Sequence, residues 1–250
     1  MLEIKGRVNT AICFAKIIEE EAIAQIRRMC DTEMTRGSRI RIMPDVHAGK
    51  GCTIGTTMTI IDKAVPNVVG VDIGCGMYTV KLGDVAIDFG KVDEACQRFA
   101  RHNRERMAEI ILDHTGLEAL DAFHTIHNYI DTDEMILRKG AIAAHAGELV
   151  LIPINMRDGS VLAYGKGNPD WNFSAPHGAG RIMSRSRAKA AIEMEDYRKA
   201  MEGIYTTSVS TATLDEAPMA YKSLEDIIDV IEESVDVVEV LKPIFNYKAS

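Results

Sequence analysis

The chain has 250 residues, 46% of them hydrophobic and 26% charged, and a net charge of −8. That length can bury a substantial core, and the acidic balance excludes a protein that coats nucleic acid through a global positive field, though not one with a local basic groove. The longest apolar runs are too short to cross a bilayer, the N-terminus turns acidic at Glu19 where an export signal stays apolar, and five irregularly spaced cysteines (Cys13, Cys30, Cys52, Cys75, Cys96) predict free thiols; a reduced, cytoplasmic protein is the expectation.

Along the chain, the first fifteen residues read as one or two short strands around Gly6. Lys16 to Met34 carries Ile17, Ile18, Ala22, Ile23, Ile26 and Met29 at the three-and-four spacing of an amphipathic helix. Arg39–Met43 alternates as a strand and is expected to end at Pro44. The next stretch, to Leu82, places Gly49, Gly51, Gly55, Gly70, Gly74 and Gly76 among β-branched runs, a pattern of short buried strands and tight turns. Val92–His114 predicts a long charged helix, continued after Gly116 by a short one at Leu117–His124. Ala141–Ile154 and Ser160–Tyr164 predict strands, and Arg185–Glu202 and Ser223–Val240 predict helices. With no repeat or low-complexity linker, one mixed α+β domain spanning 1–250 is expected.

Three clusters carry potential chemistry. Asp45 and His47 precede Gly49 and Gly51, and Asp72 precedes Cys75 within glycine-bracketed turns. Asp72 and Cys75 either aim two donors at one ion, or are a turn cap and a small core residue. His124 and His127, three apart, either share a helix face as chelators or decorate a helix end. In Ser174–Arg185, His177 is followed by Gly178, Gly180 and Arg181. This run is either a phosphate pocket of helix-terminal amides flanked by Arg181 and Arg185, or a glycine-rich turn before a basic surface helix.

These runs together resemble the RtcB family of RNA ligases. MPDVHAGKG (Met43–Gly51), GVDIGCGM (Gly70–Met77), HNY (His127–Tyr129), RKGA (Arg138–Ala141), SAPHGAGRIMSR (Ser174–Arg185), DEAPMAYK (Asp215–Lys222) and LKPIFNYK (Leu241–Lys248) stand in that family's order. The resemblance implies a GTP- and manganese-dependent ligase that joins a 2′,3′-cyclic phosphate or 3′-phosphate RNA end to a 5′-hydroxyl end. It makes His177 the residue that takes GMP from GTP, and Asp45 matches an acid near the metal site. Asp72, Cys75 and His127 match manganese ligands. Lys248 and Tyr221 match residues holding the guanine base, and Asn155, Gly178, Gly180 and Arg181 stand beside the nucleotide.

Members of that family also carry a central block with two further histidine ligands. Here Asp88–Asp93 leads directly into the helix that starts ACQRF, so the domain is expected to be shortened near 88–96. The shortening predicts weakened two-metal binding and apolar surface left for a full-length or accessory partner to cover. The competing reading is a catalytically degenerate relative that binds nucleotide or RNA ends, or serves as a partner-interaction module.

Overall fold

The computed structural model describes residues 1–63, 66–70, 72, 74–82 and 96–246. The predicted N-terminal strands form β1 (Leu2–Lys5) and β2 (Thr10–Cys13), paired antiparallel. The predicted helix is trimmed to α1 (Glu20–Cys30), which buries Ala22, Ile26 and Met29. Glu20 and Glu21 in its first turn and Arg27 and Arg28 in its last complement the helix dipole.

The strand expected to stop at Pro44 continues as β3 (Ile40–His47). It runs parallel to β2 and antiparallel to β4 (Ile54–Thr59). Pairing with β4 holds through Ile42 and resumes only at His47. Pro44, which has no N–H to give, therefore sits in a bulge where none is needed. With β7 (Tyr129–Asp131) and β8 (Ile136–Lys139), these strands make a six-stranded sheet of order β1-β2-β3-β4-β8-β7. Ile26, Ile40, Ile42, Met58 and Leu137 are fully buried in the core shared by this sheet and α1.

A short helix α2 (Pro66–Val69) leads towards β5 (Gly76–Leu82), and α3 (Cys96–Thr115) follows. The short helix expected after Gly116 is instead a strand, β6 (Ala119–Ile126), antiparallel to β5. Gly116, at φ +69°, ends α3, and the residues beyond it gain a full ladder of backbone partners along β5. An apolar cavity of about 440 Å3 lies between β5 and α3, lined by Met77, Tyr78, Val80, Met107, Ile111 and Leu112 among others.

The strand expected over Ala141–Ile154 is two, β9 (Ala141–Ala143) and β10 (Leu149–Asn155), separated by a turn in which Glu148 N–H donates to the His145 carbonyl. β11 (Gly159–Gly165) follows as predicted, and β12 (Ser174–Pro176) pairs with β9. The predicted helix over Arg185–Glu202 breaks at extended Ile192 into α4 (Arg185–Ala191) and α5 (Met194–Ala200). After β13 (Tyr205–Thr206), the last predicted helix divides as well. Only α6 (Leu224–Ile231) is helical, while Val235–Leu241 forms β14 against β11. The valines of β14 match helical spacing on paper, but their β-branched side chains suit a ladder. β15 (Phe245–Asn246) pairs with β13. Ile152, Val161, Ile227, Ile231 and Val235 form the second core, between the β10-β11-β14 sheet and α6. No helix of the described residues is long and apolar enough to cross a membrane.

One buried cation fastens the first sheet to the strand that leads into the site. Arg138 of β8 is fully buried and donates to Ser174 Oγ at 2.9 Å, Tyr129 OH at 3.0 Å and Asp131 Oδ2 at 3.3 Å. Removing it strands those partners. Arg138→Met is expected to lower unfolding free energy by about 3 kcal/mol in urea titrations, and a loss under about 1 kcal/mol would show that the network adds no net stability.

Candidate active site

The β3 bulge aims Asp45 inward, where it is fully buried, and the loop after β12 brings His177 to it. His177 Nδ1 lies 2.5 Å from Asp45 Oδ2. A carboxylate at this distance accepts the Nδ1 proton and leaves the Nε2 lone pair free. Asp45 Oδ1 is buried and has no hydrogen-bond partner among the described residues. Gly180 sits at φ +73°, and a Cβ there would meet the Asp45 carbonyl oxygen at 2.0 Å. Only glycine lets the His177 loop lie so close against the bulge.

His177 stands between two cavities. The first, about 640 Å3, is lined by Asn155, Gly178, Gly180, Arg181, Tyr221 and His177, with His47 and Lys242 also on its wall. All the expected nucleotide-side residues among the described ones therefore share one cleft, and Lys248 lies outside the described residues. Arg181 donates to Tyr221 OH at 2.7 Å and to the Asp215 carbonyl, with its guanidinium 4.8 Å from the Tyr221 ring centre. Tyr221 OH in turn donates to Glu216 Oε2 at 2.8 Å. Burial first, then the Glu216 bond, pushes the Tyr221 hydroxyl up to about 12, so it stays protonated. Asn155 faces the cleft while its side chain is committed to the β10–β11 turn, accepting from Arg157 N–H and Asp158 N–H at 3.0 and 2.9 Å.

The expected pocket of helix-terminal amides takes a different form. α4 begins only at Arg185, capped by Ser184, so Gly178–Arg181 is a loop ahead of the helix. Arg185 is engaged by Asp215 Oδ2 and Glu216 Oε1, both at 2.6 Å, and these carboxylates offset its charge.

The second cavity, about 230 Å3, is lined by Asp72, His127, Asn128, Lys139, Gly140 and His177, among others. The His127 and His177 rings are 4.5 Å apart between centres. His127 N–H donates to the Cys75 carbonyl at 2.7 Å, and Asn128 Nδ2 donates to the Asp72 carbonyl at 3.1 Å, so the turn carrying Asp72 and Cys75 is tied to the segment carrying His127. Asn128, at φ +61°, also accepts Gly140 N–H at 2.7 Å and joins the two walls.

The sequence pattern of the family described as tRNA-splicing ligase RtcB matches residues 25–94 and 86–249. The chain belongs to the RtcB family. It is 30% identical over 176 residues to the RNA-splicing ligase RtcB of Escherichia coli K12, a match covering 63% of this chain and 42% of that protein. It is 34% identical over 146 residues to the tRNA-splicing ligase RtcB of Aeropyrum pernix, covering 47% of this chain and 30% of that one. The matched stretch thus spans less than half the length of these RtcB relatives.

Whether the RtcB-type donors suit a divalent cation turns on their chemistry. Burial first, then the neighbouring His177 and Arg104 side chains, lowers His127 to about 3, so the imidazole is neutral and its lone pair is available. Burial, then the bond to Asp72, raises the Cys75 thiol to about 11, and a cation would have to displace that proton. A carboxylate, an imidazole and a thiol fit one such ion. Against it, Arg104 donates to the Gly74 carbonyl at 3.1 Å and already carries positive charge beside Asp72 and Cys75. Among the described residues, the set of three His, Cys, Asp or Glu donors lying within 4.8 Å of one another is a different one, Asp131, Glu134 and His145.

His124 does not join His127. As part of a strand it turns to the opposite side, stacks on Tyr78 and bonds Glu105 at 2.9 Å. His102 bonds the same carboxylate, and His114 bonds the Ile110 carbonyl of its own helix. Sequence reasoning missed Lys222, Asn128 and Arg104. Asn128 stood inside a quoted motif, and its positive φ was the property that spacing does not display.

The lowered basicity of His127 has a consequence for stability. Between pH 6.5 and about 3 the unfolded chain binds a proton here that the folded chain does not. This contribution is therefore complete above pH 6.5 and lost as pH falls through that window. In chelator-treated buffer, His127→Asn is expected to lose about 2 kcal/mol less than wild type between pH 7 and pH 5 in urea titrations, whereas parallel losses would place the His127 proton elsewhere.

Proposed function

We propose that this RtcB-family chain joins RNA ends, sealing a 2′,3′-cyclic phosphate or 3′-phosphate to a 5′-hydroxyl through a guanylylated His177. GTP is the donor and manganese the metal. The observation that carries the reading is the position of His177. It is oriented by Asp45 at 2.5 Å and stands where the cleft lined by Tyr221, Arg181 and Gly178 meets the cavity lined by Asp72 and His127.

In this reading Nε2 of neutral His177 attacks the α-phosphorus of GTP. The N–P bond forms, the bond to the bridging oxygen breaks, and pyrophosphate leaves. Asp45 stabilises the positive charge that develops on the ring. Water first opens a 2′,3′-cyclic end by breaking its bond to the 2′-oxygen, and an oxygen of the RNA 3′-phosphate then attacks the guanylyl phosphorus, takes the GMP and frees His177. The 5′-hydroxyl next attacks the activated phosphorus and expels GMP. A manganese ion held by Asp72, Cys75 and His127 would neutralise phosphate charge in these transfers. The loop at Gly178 and Gly180 leaves backbone open to the phosphates, while Tyr221 and Lys248 hold the base. The free thiols of Cys13, Cys30, Cys52 and Cys75 suit the reducing cytoplasm.

A second reading is favoured by the guanidinium of Arg104 beside Asp72 and Cys75 and by the short donor set. In it the chain is a degenerate relative that binds nucleotide or RNA ends, alone or with a full-length or accessory partner. Intact mass after incubation with GTP and manganese separates the two. The ligase reading predicts a gain of one GMP that is absent in His177→Ala. A folded protein that binds GTP and gains no mass would leave the binding reading.

A further inference from the structure

The β3 bulge that aims Asp45 also creates a difficulty. Between Ile42 and His47 the strand leaves its ladder with β4, so carbonyls in that stretch lose their strand partners in a buried place. Lys222, only 4% exposed, meets that need. Its Nζ donates to the Pro44 carbonyl at 2.7 Å and to the Val46 carbonyl at 3.1 Å, the carbonyls of the two residues on either side of Asp45. The backbone N–H of Lys222 donates to the Gly180 carbonyl at 3.0 Å, in the loop that carries His177. One residue thus binds both halves of the Asp45–His177 pair.

We propose that Lys222 is a positioning residue, holding the bulge so that the Asp45 carboxylate meets His177 Nδ1 and fixes the ring with Nε2 free. Two features argue against a role confined to stability. Burying an ammonium costs several kcal/mol before compensation, a costly way to satisfy two carbonyls if nothing else is gained. The charge that does most to offset its burial is that of Asp45, ahead of Cys13, Asp226 and Glu19. The cation and the carboxylate therefore support one another in a site where neither is well solvated. The catalytic consequence rests on the ligase reading; the placement does not.

The test uses the full chain labelled with 15N-histidine, the His177 signals being assigned with His177→Ala. Wild type is expected to show His177 protonated at Nδ1. Lys222→Met is expected to give a mixture of tautomers while thermal unfolding shows a folded protein, and Lys222→Arg, which keeps charge and donors, to recover much of the wild-type signal. Should Lys222→Met fail to fold, Lys222→Gln carries the same comparison. GMP-adduct formation by the neutral variant is expected to slow roughly 10- to 100-fold with GTP affinity little changed. A folded neutral variant that keeps the wild-type tautomer overturns the inference. Coupling of tautomer to Lys222 in a wild type that forms no adduct upholds it and removes the ligase reading alone.

Discussion

The hydrogen bond between Asp45 and His177 organises the rest of this site. Each partner comes from a segment with little reason of its own to hold its shape: a bulge interrupted by proline, and a glycine-rich loop ahead of a short helix. A buried carboxylate is costly unless its charge is met, and a histidine half-way between two cavities is free to turn unless its ring is held. Joining them at 2.5 Å meets both needs. Gly180 allows the approach, and Lys222 ties the two segments behind it.

From this bond the arrangement extends in two directions. On one side the cleft is walled by a chain of polar contacts, Arg181 to Tyr221 to Glu216, that keeps an aromatic face and a guanidinium in fixed relation. On the other, Asn128 pins the Asp72 turn to Gly140 and brings the neutral imidazole of His127 against His177. The metal side is the leaner of the two. It has few donors, an adjacent arginine and a thiol that burial keeps protonated, so any cation must bind in competition with Arg104 and a proton. The apolar cavity between β5 and α3 lies beside it, the elements flanking the residues where the two family matches meet.

Much of this was legible in the residues. His177, Asp45, Tyr221, Arg181, Gly178, Gly180 and His127 stand in motifs that the sequence singles out, and they come together around His177. Secondary structure was less readable wherever one pattern serves two periods. Leu117–His124 has the spacing of a helical face, yet Gly116 ended the helix and β5 offered a ladder. Val235–Leu241 matched a helical stripe, and β11 captured it as a strand. Lys222 ends the DEAPMAYK run that the sequence singles out, but nothing in that run shows that its side chain is buried. Its burial depends on the carbonyls of a bulge far away in sequence, and the strand itself was expected to stop at Pro44.

Peptide mapping under alkaline conditions, after reaction with GTP and manganese, locates the GMP on the chain and so decides whether His177 is the residue that takes it. Cleavage at Lys166 and Arg181 gives a peptide, Gly167–Arg181, in which His177 is the single histidine. Guanylylation of His177 puts the added mass on that peptide. GMP found on a different peptide would contradict it, because the hydrogen bond from Asp45 would then be orienting a residue that takes no part in the transfer.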